Sequence, residues 1–69
     1  VPEPPFRVLG VELRGGERFL SITSTAAASL AGARLLREGD VEGDWQLQSI
    51  EAHAGVFQVN GQTQRIAVP

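Results

Sequence analysis

Two glycines, Gly15 and Gly16, interrupt the apolar-rich run "FRVLGVELRGGERFLSIT" that extends from Phe6 to Thr23. A Gly-Gly pair supplies the successive positive φ angles of a two-residue hairpin turn, and its flanks are rich in β-branched and large apolar residues. In that register Arg14 faces Glu17, Val11 faces Leu20 and Leu9 faces Ile22. One opposite-charge pair and two apolar pairs fall opposite each other, and a slip of one residue would destroy all three. An isolated hairpin is marginal in water, so the rest of the chain has to complete its core.

The second half repeats the signal. "WQLQSIEA", from Trp45, alternates with Trp45 and Leu47 on one face. Ile50 breaks that parity, which predicts a bulge near Gln48–Ser49. "GVFQV", Asn60-Gly61 and "QTQRIAV" form a further hairpin, because Asn-Gly is the preferred type I′ pair. Its register puts Phe57, Val59, Ile66 and Val68 on one face, and Val56, Gln58, Thr63 and Arg65 on a mostly polar one. The middle, "TSTAAASLAGARLLREG", is open between two readings: a short helical turn near 25–31, capped by Ser24 or Thr25 and stopped by Gly32, or a loop followed by a strand at "ARLLRE". About six strands separated by glycine turns predict an all-β fold, a small six-stranded antiparallel sandwich or open barrel over residues 6–69. "VPEPP", residues 1–5, reads as the end of an extended proline-rich linker.

Length and charge narrow the function classes. Sixty-nine residues make one domain, and a chain of this size buries only about 60% of its unfolded surface. It has no cysteine, so neither a disulfide nor a thiolate metal site can staple it. A net charge of −2, with six arginines and no lysine, provides no basic patch for nucleic acid. No apolar run approaches the roughly 20 residues that span a bilayer.

The acids Glu38, Asp40, Glu42 and Asp44 fall at every second position. With Asp40 as ligand 1, Glu42, Asp44 and Glu51 take positions 3, 5 and 12 of a calcium-binding loop. Position 6, which needs glycine for a sharp bend, is Trp45, and the flanks read as strands. The stretch is therefore a turn whose Asp side chains bond local amides, and no metal site is expected. Trp45 is assigned to the core because its area dominates the burial available to so small a domain. His53, the lone histidine, sits in a predicted turn with no second histidine or cysteine to help it ligate a metal. No spacing unites it with Ser21, Ser24, Ser29 or Ser49 and an acid, so no enzyme and no cofactor are expected.

The pattern "FRVLGVEL…RFLSI…ARLLREGD…WQLQSIEAHAGVFQVNGQTQRIAV" resembles the periplasmic homology-region domain of bacterial type II secretion systems, found in the inner-membrane C and B components (GspC and GspB). The markers are Gly10 in the first strand, Gly39-Asp40 ending the third, "LQSI" followed by Gly55-Val56, and Asn60-Gly61 before the last apolar strand. The Ser/Ala-rich stretch 24–32 departs from the family pattern. The pilus-assembly lipoprotein PilP has a related sandwich. The resemblance implies a two-sheet sandwich without catalysis, located in the periplasm as part of an inner-membrane-anchored bacterial protein. Its implied partners are the N-terminal (N0) domain of the outer-membrane secretin and other inner-membrane components of the system. An upstream lipidation cysteine would favour the pilus-type reading, and an upstream transmembrane helix the secretion one. A structural, self-associating β domain is the rival of a different class.

Sandwich edge strands carry free amides and carbonyls that accept another strand. The first strand is the candidate edge, since the proline-rich segment before it cannot extend a sheet. Phe6, Arg7, Val8, Gly10 and Glu12 are accordingly the expected partner-binding residues: Gly10 for close backbone approach, Arg7 and Glu12 for charge pairing, Phe6 and Val8 for apolar area.

Overall fold

A computed structural model describes residues 3–24 and 33–69 of the chain. Seven strands follow one another: β1 (Phe6–Arg14), β2 (Glu17–Ser24), β3 (Arg34–Leu36), β4 (Val41–Glu42), β5 (Trp45–Glu51), β6 (Ala54–Val59) and β7 (Gln62–Ala67). They form two antiparallel sheets, β1-β2-β3 and β4-β5-β6-β7, and do not close into a barrel. The all-β expectation holds. The strand count rises from six to seven through β4, whose two residues are too short to show a period. The stretch "ARLLRE" contributes β3, while the helical turn suggested near 25–31 lies outside the described residues.

Turn chemistry sets both hairpin registers. Gly15 and Gly16 have φ of 59° and 83°, and Arg14 pairs with Glu17. Asn60 and Gly61 have φ of 51° and 75°, and Val59 pairs with Gln62. Two positive φ values in succession match the right-handed twist of the strands they join.

Two bulges then decide which side chains reach the core. In β5 the register skips Gln48, since Leu47 pairs with Phe57 and Ser49 with Val56. This is the expected bulge, and it brings Trp45, Leu47 and Ile50 together inside despite their broken parity. In β1 the register skips Leu9: Val11 pairs with Leu20 as expected, but Val8, not Leu9, faces Ile22. The expected Leu9–Ile22 pair is thus corrected. The extra residue rotates the start of the strand, so Phe6 and Val8 share the inner face with Val11 and Leu9 is left 49% exposed.

The core between the sheets joins Phe6, Val8, Leu20, Ile22 and Leu36 from one to Trp45, Leu47, Ile50, Phe57 and Val59 from the other. Its centre is an aromatic triad. Phe6 meets Trp45 edge-on at 5.8 Å between ring centroids, Trp45 meets Phe57 at 5.8 Å, and Phe6 meets Phe57 at 5.0 Å. Such pairs each add about 0.5–1.5 kcal/mol beyond their area. Trp45 is therefore core, as its residue type and strand position predict.

The sandwich differs at its two sides. On one, the turn Arg37–Asp40 carries the chain from sheet to sheet, and an Arg34–Glu42 ion pair ties β3 to β4. On the other, β1 and β7 are the edge strands, with a groove between them.

Candidate protein-binding edge

Among the described residues β1 pairs only with β2, so its other side presents unpaired main chain. A two-residue hairpin closes on a hydrogen-bonded pair, here Arg14 and Glu17, and the bonded positions alternate from there. The register therefore turns the amides and carbonyls of Leu13 and Val11 outward, and beyond the bulge those of Val8 and Phe6.

Beside this edge lies a groove of about 470 Å³ lined by Phe6, Arg7, Val8 and Leu9 from β1 and by Ile66, Ala67 and Pro69 from the C-terminal segment. Its walls are apolar apart from one cation, Arg7. That guanidinium has no acidic partner among the described residues, whereas Arg14, Arg34 and Arg65 pair with Glu12, Glu42 and Glu51.

The expected site residues take different roles. Arg7 is exposed at the groove. Glu12 is half-buried on the outer face and accepts a 2.9 Å bond from Arg14 Nη2. A Cβ added to Gly10 would meet nothing within 4 Å, so the space beside it is open to a neighbouring chain. Phe6 and Val8 are 3% and 5% exposed, and what they offer at the edge is main chain rather than apolar side-chain area. Leu9, which the unbroken hairpin register paired with Ile22, supplies the apolar side chain at this edge instead. Ile66, Ala67 and Pro69 were not expected at this edge, because their closeness to β1 arises only when the two sheets stack.

Other candidate chemistry is accounted for locally. Asp40 Oδ2 accepts from the Arg37 amide at 2.9 Å, which is the expected Asp turn chemistry. Glu38 Oε2 accepts from the Ile50 amide at 3.4 Å, and Glu42 faces Arg34. The carboxylates of this stretch therefore diverge. His53 lies exposed in the turn between β5 and β6, where its carbonyl accepts from the Val68 amide at 2.7 Å. A second, polar groove lies between Gly16–Arg18 and Arg37–Glu38, lined by two arginines and two glutamates whose formal charges sum to zero, and Arg18 also donates to the Ile50 carbonyl.

Comparison of the chain with protein-family models, with curated proteins and with solved structures gives no match.

Proposed function

We propose that this domain is a periplasmic recognition module, borne by an inner-membrane-anchored bacterial protein, that binds the N-terminal domain of an outer-membrane secretin by strand addition along β1. The observation that carries this reading is the β1 edge, unpaired among the described residues, running beside an apolar groove whose one cation, Arg7, has no acidic partner among them. The resemblance to the secretion-system homology region supplies the partner class and the location.

An incoming extended strand would exchange main-chain bonds with Val11 and Val8, which give affinity without sequence information. Specificity would come from an apolar side chain lodged against Leu9 and Ile66 and from an acid opposite Arg7. The role is recognition rather than catalysis. It couples an inner-membrane assembly platform to the outer-membrane channel through a contact weak enough to remake.

The test is calorimetric titration with N-terminal secretin domains of the source organism, comparing the native chain with Arg7→Glu. The reading expects saturable binding that Arg7→Glu weakens at least tenfold, equivalent to about 1.4 kcal/mol. An exposed substitution of this kind changes stability by about 0.5 kcal/mol or less, so unfolding would not account for the loss. Absence of binding to any of those secretins refutes the function.

A further inference from the structure

The β1 edge is complementary to itself. Reading outward in both directions from the point between Leu9 and Gly10, Val8 matches Val11, Arg7 matches Glu12, and Phe6 matches Leu13. The residues whose main chain faces outward, Phe6 and Val8 on one side of the bulge and Val11 and Leu13 on the other, are spaced symmetrically about the same point. The bulge makes this symmetry possible. Without it Val8 and Val11 would lie on opposite faces of the sheet, whereas with it both lie on the inner face and Arg7 and Glu12 both lie on the outer one.

We propose that a second copy of this chain occupies the edge, pairing β1 with β1 antiparallel about a two-fold axis between Leu9 and Gly10. The partner arrangement is closed and isologous, and it joins two three-stranded sheets into one of six strands. Val8 and Val11 of opposite copies exchange main-chain bonds, as do Phe6 and Leu13. Arg7, which has no acidic partner among the described residues, meets Glu12 of the other copy, whose carboxylate the Arg14 guanidinium also contacts at 2.9 Å, and this happens twice. The same register lays Leu13, 70% exposed in the single chain, beside the opposite copy's Phe6, at the mouth of the groove with Ile66 and Pro69. An exposed leucine and an apolar groove thus fall opposite each other, again twice. Self-pairing does not depend on a secretin. It uses the edge that any other strand would need, so the two states exclude each other.

The decisive experiment mixes two charge variants. In Arg7→Glu two glutamates oppose each other across the axis, and in Glu12→Arg two arginines do, so each variant alone should self-associate at least tenfold more weakly than the native chain. In an equimolar mixture every opposed pair is again of opposite sign, and association should return to near the native strength. Sedimentation velocity from about 10 µM to about 1 mM covers the range expected of so small an interface, with circular dichroism confirming that each variant is folded. A native chain that stays monomeric throughout overturns the proposal. So does a mixture no more associated than its components, which would show that any dimer uses another surface.

Discussion

Gly55 in β6 faces Leu20 of the other sheet with no room for a side chain. A Cβ built there would lie 2.6 Å from Leu20 Cδ2, 3.4 Å from Leu20 Cδ1 and 3.1 Å from Phe57 Cε1. Carbon atoms pack best at about 3.5–4.0 Å, so the nearest contact is short by about 1 Å. Leu20 and Phe57 are both fully buried, so either must move within the core to admit the new methyl group. Gly55 is also outside the positive-φ set, so alanine there carries no backbone strain and tests sterics alone. Gly55→Ala should cost about 1–3 kcal/mol, the usual range for overpacking a close-packed core. A domain of this size is stable by roughly 3–10 kcal/mol, and each 1 kcal/mol lowers Tm by about 4–8 °C. Urea unfolding followed through Trp45, the single tryptophan, measures the loss directly. Leu20→Val removes the clashing atoms at a cost of about 1 kcal/mol. The double variant should therefore be more stable than the sum of the single losses by about 1 kcal/mol or more. Additive losses, or Gly55→Ala within about 0.5 kcal/mol of the native chain, would refute the steric conflict between a side chain at position 55 and Leu20.

Three further outcomes follow from the turns. Asn60→Ala should destabilise by about 1–2 kcal/mol and Asn60→Gly by far less, since φ at this position is 51° and only glycine adopts it freely; thermal melts distinguish the two. Asp40→Ala leaves the Arg37 amide without its carboxylate acceptor and should cost about 0.5–1.5 kcal/mol in the same assay. Calcium at millimolar concentration should change neither Trp45 fluorescence nor Tm, because the carboxylates of Glu38, Asp40 and Glu42 point to separate local partners. A saturable shift reversed by chelator would contradict that geometry.

Much of this fold is legible in the sequence, for local reasons. Gly15-Gly16 and Asn60-Gly61 fix hairpin registers by backbone conformation alone, and Trp45, Leu47 and Ile50 announce a bulge by their spacing. The same signal is present in β1, where Phe6 and Val8 fall out of step with Val11 and Leu13 and Gly10 stands at the break. Pairing outward from the Gly-Gly turn with an unbroken register hid it. The error paired Leu9 rather than Val8 with Ile22 and credited Phe6 and Val8 with contact area that the core consumes. Other features have no local signature. Strand β4 is too short to alternate, and the groove between Leu9 and Ile66 exists only once the sheets stack. The close approach at Gly55 depends on Leu20, which is distant in sequence. The edge position of β1 was reached from the prolines before it, and it decides where a partner would bind.

Whether β1 receives a secretin strand, as proposed, is read out by chemical-shift mapping. The isotopically labelled chain is titrated with the secretin's N-terminal domain at a concentration where the labelled chain is monomeric. Amide shifts should concentrate on residues 6 to 13 and on Ile66 and Ala67 across the groove, and Arg7→Glu should suppress them. Shifts confined to the β3–β4 side, or to the Asn60-Gly61 turn, with residues 6 to 13 unmoved, would contradict it.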